Sequence, residues 1–338
     1  MTQPTMQQVA ERAGVSTALV SLVMRDAPNV SDHRRKRVLE AADELGYRPN
    51  VLARNLASRR TKTIGVVLND FHNQFFAEVA DGIQAAADRA GYRLLFGNGK
   101  HSVAGEAEAV ETFLQFRVDG VILAGSLDVA SMERAARSAA VVVVGRTEAS
   151  DLVDTVNTDD HAGATLAVDH LVGLGHRRIA HIDGGDGAGA AGRSRGYREA
   201  MENHGLGKHV LIAPGDYTQE SGQSGAAELL RASERPTAIF ASNDLSAIGA
   251  QDELARAGLK IPDDISLMGF DNTSQSAISY VSLTTINQPT DDLGQAAIDL
   301  VLDRLDRERD AGEAVQYVGM PTLVARSSTG PPAEVDDR

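Results

Sequence analysis

Glycines in the middle of the chain have a spacing that could bind a dinucleotide. Gly187, Gly189 and Gly192 fit the pattern G-x-G-x-x-G, in which backbone N–H groups approach a pyrophosphate between a strand and a helix. The pattern follows the predicted strand Arg178–Ile182. However, no acidic residue ends a strand about 20 positions later, as ribose binding requires. We therefore interpret the segment as a flexible glycine loop over a ligand cleft, and we predict no cofactor.

Catalytic and metal-binding patterns are absent from the sequence. The chain has no cysteine, and its 9 histidines do not show the H-E-x-x-H spacing of zinc enzymes. No G-x-S-x-G element marks a serine nucleophile. His170 and His176 flank a predicted helix end, where structural roles are common. We predict neither catalytic residues nor a metal site.

Charge is distributed in a way that favours nucleic-acid contact at one end of the chain. The whole protein has a net charge of −14, yet residues 1–62 contain 11 basic and 6 acidic residues, a net charge of +5. The remaining residues therefore carry a net charge of −19. A basic head on an acidic body is expected when only the head contacts phosphates.

The basic head has the pattern of short helices. A first helix over residues 6–12 ends at Gly14, which can adopt the left-handed conformation of a tight turn. Ser16 then caps a second helix over residues 17–24. This pair has the dimensions of a helix-turn-helix, whose second helix presents its N-terminal residues to base edges in the major groove. The predicted base-contacting residues are Thr17, Ala18, Ser21, Leu22 and Arg25.

Apolar residues at helical spacing predict how the head packs. A third helix begins after Ser31 and ends before Gly46, and a fourth is expected over residues 48–57. The residues predicted to face inward are Leu19, Val20 and Val23 in the second helix, and Val38, Leu39, Ala42 and Leu45 in the third.

From Thr63 onward, apolar strands alternate with amphipathic helices. The first set of predicted strands is Ile64–Leu68, Arg93–Phe96, Gly120–Leu123 and Val141–Val144. The second set is Arg178–Ile182, His209–Ile212, Ala238–Ala241, Ile265–Gly269 and Leu283–Ile286. Such alternation implies parallel sheets with right-handed crossovers. The predicted fold is a small all-α helix-turn-helix head followed by a two-lobed α/β unit of two doubly wound parallel sheets, with a ligand cleft at the carboxyl ends of the strands.

The sequence also indicates in which cell compartment the protein is located. The N-terminus has no apolar signal region, and no apolar run approaches the ~20 residues that cross a bilayer. The lack of cysteine is compatible with a reducing environment. We therefore expect a cytoplasmic protein without a membrane partner, associated with the nucleoid when it is bound to DNA.

Several segments, in order along residues 5–330, together resemble the LacI/GalR family of bacterial regulators. They include Thr5-Met-Gln-Gln-Val-Ala-Glu-Arg-Ala-Gly-Val-Ser-Thr-Ala-Leu-Val-Ser21, Glu44-Leu-Gly-Tyr-Arg-Pro-Asn50, Ala53-Arg-Asn-Leu-Ala57, Val118-Asp-Gly-Val-Ile122, His170-Leu-Val-Gly-Leu-Gly-His-Arg-Arg-Ile179 and Met268-Gly-Phe-Asp271. The resemblance implies a homodimer that reads a pseudo-palindromic operator in double-stranded DNA. It also implies a periplasmic-binding-protein-like sensor for a small-molecule effector.

The resemblance divides the chain into regions. Residues 1–47 correspond to the helix-turn-helix domain, 48–62 to a hinge helix and linker, and 63–330 to the effector-binding domain, leaving 331–338 as a flexible tail. The N-subdomain covers about 63–159 and 290–320, and the C-subdomain covers about 160–289 and 321–330. The hinge residues implied to contact DNA are Asn50, Ala53, Arg54 and Leu56. Leu56 matches a leucine that wedges between central base pairs in the minor groove.

The resemblance also carries effector contacts onto the sensor, and the sequence departs from the family at two points. The implied contacts are Phe75, Phe76, Arg146, Arg193, Asn243, Asp271 and Gln288. Carboxylate, guanidinium and amide groups suit a sugar-like effector, while the two phenylalanines suit a flat ligand face. Leu22 stands where the family usually has arginine, so an atypical operator is expected. Gly145 stands where many sugar-sensing relatives have an acidic residue, which weakens the sugar interpretation and enlarges the pocket.

These patterns predict a DNA-binding repressor that is controlled by a small polar effector and is not an enzyme. A free sugar-binding protein of the periplasmic type shares the two-lobed sensor, but it would need a signal peptide and no basic head. An NAD-dependent enzyme is a second alternative, and it rests only on the glycines at 187–192.

Overall fold

A computed structural model describes residues 4–24, 27–48, 60–100, 102–125, 128–146, 152–306 and 314–333. The chain forms two compact units, Met1–Thr61 and Lys62–Arg338. The sequence-based predictions for Arg25, Asn50, Ala53, Arg54 and Leu56 lie outside the described residues.

The described part of the first unit contains three helices, α1 (Met6–Ala13), α2 (Thr17–Met24) and α3 (Asp32–Leu45). Thr5 and Gln8 form a reciprocal capping box at the start of α1, which satisfies two backbone donors that the helix leaves unpaired. Gly14 ends α1 with a φ of +61°, the left-handed conformation that the sequence predicted. The helix-turn-helix geometry therefore follows from local capping and turn residues.

The core of the first unit is built from one face of each helix. Val20, Val23 and Val38 are buried, as predicted, and Leu19 packs against them half-buried. The prediction for Leu39 is wrong, because its side chain is 49% exposed. Ala41 is buried in its place, so the apolar stripe of α3 is shifted from the one that the helical pattern suggested.

The second unit is an α/β structure. In chain order it contains β1 (Thr63–Leu68), α4 (Gln74–Ala90), β2 (Arg93–Asn98), α5 (Val103–Gln115), β3 (Gly120–Ala124), α6 (Val129–Ala136), β4 (Ala140–Val144), β5 (Asp154–Thr158), α7 (Asp160–Gly173), β6 (Ile179–Ile182), α8 (Ala190–Asn203), β7 (Leu211–Ala213), α9 (Gln219–Leu229), β8 (Ala238–Ala241), α10 (Asp244–Arg256), β9 (Ser266–Met268), β10 (Thr285–Asn287), α11 (Thr290–Asp306), β11 (Gln316–Gly319) and β12 (Thr322–Val324). A short 3₁₀ turn covers Gly207–His209.

Two parallel sheets define two lobes, as predicted. The first lobe has six strands in the order β11-β5-β4-β3-β1-β2, and the second has four in the order β7-β6-β8-β9. Helices cover both faces of each sheet, so that alternate residues of one strand enter different cores. Val142 and Val144 pack with α4 and α11, for example, while Val141 and Val143 pack with α5 and α6. The carboxyl ends of the strands are therefore free to form a ligand site.

Three strands, β5, β11 and β12, were not predicted, and one predicted strand pairs differently from what was expected. The strand Asp154–Thr158 was not predicted, because its sequence is polar although all five residues are buried. The segment predicted as Leu283–Ile286 forms β10, which pairs antiparallel with β12 instead of joining the four-stranded sheet as a full strand. In the parts of the chain that the structure describes, no helix is long and apolar enough to cross a membrane.

Candidate functional site

The outer surface of α2 carries the residues predicted to contact DNA. Thr17 and Ala18 are exposed in its first turn, and Leu22 is 39% exposed one turn later. Ser21 is half-buried. The opposite side of the helix, with Val20 and Val23, is fixed in the core. The structure thus presents polar and small side chains at the N-terminal end of the second helix, the part that enters a major groove in a helix-turn-helix.

A cavity of about 340 Å³ lies between the two lobes of the second unit. Its walls come from loops that follow the carboxyl ends of strands in both sheets. Six of the seven sequence-predicted effector residues line it, namely Phe75 and Phe76 from the first lobe, and Arg193, Asn243, Asp271 and Gln288 from the second. Arg146 does not line this cavity and instead lines a neighbouring one.

Among the described residues that line the cavity, Arg193 is the only basic one. Its side chain is almost fully buried, and its Nε donates to Asp160 Oδ1 at 2.8 Å. One amino group also donates to the carbonyl oxygen of Ser242, while the guanidinium lies 3.7 Å above the Phe270 ring. These contacts fix the guanidinium before any ligand arrives, so it is a preorganised donor at the cavity wall.

Asp271 faces the same space from the loop after β9. Its Oδ1 accepts from Gln288 Nε2 at 2.6 Å and lies 3.8 Å from Arg193 Nη1. The backbone of Asp271 has a φ of +120°, an uncommon conformation that places a non-glycine residue under strain. Burial raises the pKa of Asp271 well above its usual range, although Arg193 opposes the shift. The carboxyl is therefore already largely removed from water before a ligand arrives.

Asn243 has a structural role in addition to its position at the cavity. It is the N-cap of α10, with Oδ1 accepting from Ser246 N at 2.8 Å and Nδ2 donating to the Tyr217 carbonyl at 3.1 Å. The neighbouring Asp244 carboxylate accepts from Thr273 and Thr285, which holds the loop of Asp271 against α10.

The aromatic wall comes from the first turn of α4. Asn73 caps this helix by accepting from Phe75 N at 3.0 Å, which turns the following side chains towards the cavity. Phe75 and Phe76 meet edge to face with ring centroids 5.4 Å apart. A Cβ at Gly125 would lie 2.6 Å from Phe76, so the glycine makes room for that ring. The first lobe therefore offers an apolar surface opposite the polar wall of the second.

Two residues that the sequence patterns did not identify, Tyr217 and Asp160, pack closely against the glycines of the segment 184–192. A Cβ at Gly184 or Gly187 would lie within 2.4 Å of the Tyr217 ring, and a Cβ at Gly189 would lie 2.6 Å from the Asp160 carboxylate. These glycines are explained by packing and not by a pyrophosphate or by loop flexibility. Asp160 belongs to no recognisable motif. Its position shortly after a polar buried strand is the one signal that could have identified it.

A helix-turn-helix unit joined to a two-lobed α/β unit is the architecture of a DNA-binding regulator with a sensor. Residues 5–50 match the lacI family of bacterial regulatory proteins, and residues 168–329 match the periplasmic binding protein-like domain. The chain is 35% identical over 317 residues to catabolite control protein A of Priestia megaterium, covering 92% of this chain and 96% of that protein.

Solved structures of transcriptional regulators also match this chain. The lac repressor dimer bound to operator and the anti-inducer ONPF matches with a TM-score of 0.84 and 29% identity, over 97% of this chain and 100% of that chain. The cellobiose complex of the transcriptional regulator CelR matches with a TM-score of 0.71 and 29% identity, over 96% of this chain and 100% of that chain. This chain belongs to the LacI family of bacterial transcriptional regulators and is a DNA-binding regulator, not an enzyme.

Proposed function

We propose that this protein is a transcriptional repressor that binds a pseudo-palindromic operator as a homodimer, and that an uncharged sugar-like effector in the cavity between the lobes changes its operator affinity. Relatives of similar length support the DNA-binding part, and one solved relative is a dimer on its operator. The effector part rests on one observation: Arg193, Asp271 and Gln288 meet in a cavity opposite Phe75 and Phe76.

The charges in the cavity wall favour an uncharged ligand with many hydroxyl groups. Among the described residues, the cavity is lined by one guanidinium, that of Arg193, and by five carboxyl groups, those of Asp70, Asp160, Asp186, Asp216 and Asp271. Such a wall repels anions, while carboxylate and amide oxygens accept hydrogen bonds from hydroxyl groups. The aromatic side suits the apolar face of a sugar ring. The CelR structure contains cellobiose, which is a ligand of this chemical class.

The DNA-binding part of the proposal uses α2 and the hinge. Thr17, Ala18, Ser21 and Leu22 would contact base edges, together with Arg25. Residues 48–62 would act as hinge and linker, with Asn50, Ala53, Arg54 and Leu56 at the minor groove. The roles of Arg25 and of the hinge rest on the family resemblance, because these residues lie outside the described part of the chain.

A ligand screen tests the proposed function. The full-length protein is heated with individual sugars, polyols and nucleosides, since a ligand at 100 times its Kd adds ~2.7 kcal/mol to the free energy of unfolding. A compound that raises the unfolding temperature should also change affinity for an operator fragment. A ligand that binds tightly but leaves operator affinity unchanged contradicts the regulatory part of the proposal.

A further inference from the structure

A second chamber of about 570 Å³ adjoins the ligand cavity between the lobes. The two spaces share six lining residues, among them Gly145, Gly187 and Ala188. A Cβ at Gly145 would lie 3.6 Å from the Ala188 side chain, so only small groups face each other where the lobes approach. The second chamber is therefore reached from the ligand cavity without a bulky side chain at this point.

Two arginines line the second chamber from opposite lobes. Arg146 follows β4 in the first lobe, and Arg195 lies on α8 in the second. Neither guanidinium has a hydrogen-bonding or ionic partner within the described residues. Arg193 differs, because its contacts with Asp160 and Ser242 are already made. The second chamber thus contains two charged donors without a partner in the described chain, of which Arg195 is exposed and Arg146 is half-buried.

Further donors point to the same chamber. Asn157 is 2% exposed, lines the chamber, and has a buried Nδ2 without a hydrogen-bond partner in the described structure. An unsatisfied buried amide normally costs ~1–3 kcal/mol, which a ligand acceptor would recover. The first turn of α8 also lines the chamber and has no side-chain cap, so its N–H groups and helix dipole favour an anion there.

The carboxyl groups of the chamber are mostly engaged. Asp159 caps α7 by accepting from Ala162 N at 2.9 Å, and Asp160 accepts from Arg193. His161 pairs with Glu199 at 2.8 Å. Asp186 is exposed at the boundary with the ligand cavity and is the one carboxylate here without a partner among the described residues. The negative charge of Asp186 disfavours anion binding. Removing this charge should therefore strengthen the binding of an anion.

We propose that the second chamber binds an oxyanion, a phosphate or a carboxylate, between Arg146 of the first lobe and Arg195 of the second. The oxyanion is either a separate ion or a substituent that extends into this chamber from a polyol whose uncharged part occupies the adjoining cavity. Because its two arginines belong to different lobes, a bound oxyanion stabilises the arrangement in which the lobes are close. A separate ion would be a second input to the regulator, whereas a substituent would extend the ligand site of the adjoining cavity. The oxyanion site goes beyond the proposed function, since it does not depend on which polyol binds next to it.

The test uses inorganic phosphate as the probe. The full-length protein is titrated with potassium phosphate at constant ionic strength, set with potassium chloride, and the unfolding temperature is measured. We expect a saturable rise whose midpoint shifts at least tenfold in Arg195→Ala. Arg198→Ala, an exposed arginine on the same helix outside both cavities, is the matched control and should keep the wild-type midpoint. Asp186→Asn should lower the midpoint concentration severalfold, because it removes a like charge.

Two further probes distinguish the sources of the oxyanion. If the oxyanion is a substituent, glucose 6-phosphate or gluconate gives an Arg195-dependent shift that glucose and inorganic phosphate at the same concentrations do not give. If no probe gives an Arg195-dependent shift, the proposal is overturned. A response that survives in Arg195→Ala arises elsewhere, for instance at the basic head, and also overturns it. Weaker phosphate binding in Asp186→Asn would do the same. The polyol screen remains a separate measure of the ligand cavity.

Discussion

Several features of the ligand cavity meet at Asp271. It is buried, strained in its backbone, bonded to Gln288 and close to Arg193. A carboxylate accepts hydrogen bonds from ligand hydroxyl groups through both of its oxygens. A neutral amide of the same shape has only one acceptor oxygen, so it replaces these hydrogen bonds only in part. The residue is therefore the most informative position for separating ligand binding from DNA binding.

Asp271→Asn should weaken ligand affinity by about 1.5–3 kcal/mol, the range for hydrogen bonds to a charged group. Operator affinity without ligand should remain at the wild-type value, because Asp271 belongs to the second unit. The measurement is an effector titration of operator binding and of unfolding temperature. Asp263→Asn, an exposed position, serves as control. Equal effector response in Asp271→Asn and wild type would show that the cavity wall is assigned wrongly.

His181 makes the stability of the second lobe depend on pH. Its ring is stacked on Phe240, Nδ1 donates to the Phe240 carbonyl, and Nε2 is buried without a partner in the described structure. Burial lowers the pKa of His181 from 6.5 to about 4. The unfolded chain therefore binds more protons between these values, and stability must fall as the pH decreases through them.

The expected loss from His181 is about 3 kcal/mol between pH 7 and pH 4, at 1.36 kcal/mol for each pKa unit. His181→Phe keeps an aromatic ring at this position and removes the titration, so the free energy of unfolding of the variant should fall less over the same pH range. Urea unfolding at several pH values measures the difference. Parallel curves for wild type and variant would contradict this explanation. His170 and His176, whose pKa values burial also lowers, contribute equally to both proteins.

At the scale of elements, β5 is held in place by a buried ion pair. Asp154 is fully buried and accepts from Arg304 on α11 through both carboxylate oxygens, and Val315 N donates to it at 2.7 Å. One side chain thus connects β5, α11 and the segment before β11. A polar strand can lie inside the sheet because these partners satisfy its charge.

Arg304→Ala should reduce the free energy of unfolding by about 3–5 kcal/mol, because it leaves an uncompensated buried carboxylate. Arg256→Ala is the matched control, since Arg256 forms an exposed i,i+4 pair with Asp252 at 2.8 Å. The control should lose less than ~1 kcal/mol. Chemical denaturation gives both values, and a similar small loss for the two variants would refute the role assigned to the buried pair.

Helix α4 also links the lobes beside the cavity. Gln74 Nε2 donates to Ser274 Oγ at 2.7 Å, and Ser274 N donates to Glu78 Oε1 at 2.9 Å. Neither Ser274 nor Glu78 lines the ligand cavity. These bonds can therefore influence a ligand only through the relative stability of the closed arrangement of the lobes.

Glu78→Ala should weaken ligand affinity severalfold, because loss of about 1 kcal/mol of interlobe hydrogen bonding makes closure less favourable. Gln84→Ala, a half-buried position on the same helix whose side chain donates to Asp88, is the control. Calorimetric titration with a ligand from the screen provides the comparison. Unchanged affinity in Glu78→Ala would mean that these bonds do not contribute to closure.

For the whole molecule, the sequence predicted the helix-turn-helix and the two parallel sheets because their signals are local. Gly14 ends α1, and runs such as Val141–Val144 alternate between two cores. It did not predict β5 or the role of Asp160, since both depend on partners far along the chain, Arg304 and Arg193. The glycine segment resembled a nucleotide-binding pattern for the same reason, because the residue that packs against it, Tyr217, is distant in sequence.

Exposed apolar residues in the second unit support the proposed homodimer. Leu95 and Phe96 are 36% and 43% exposed on β2, which is an edge strand of the first sheet. In the second lobe, Tyr280 is 80% exposed close to Ile278, which is 37% exposed. Large apolar side chains on an edge strand of the first lobe and on a turn of the second lobe mark surfaces that a partner subunit could cover.

The double variant Phe96→Asp/Tyr280→Asp should be monomeric, because each carboxylate would have to be desolvated in the interface. Two heads on one dimer bind the two operator half-sites in succession, and linked binding typically adds a factor of about 10²–10⁴ in affinity. The monomer should lose this factor on a full operator but should bind a single half-site as wild-type protein does. Leu166→Asp on α7 is the control for an exposed apolar residue elsewhere. Sedimentation and operator titrations decide the matter: a variant that remains dimeric would locate the interface elsewhere, and a monomer with undiminished operator affinity would show that the heads do not bind as a linked pair.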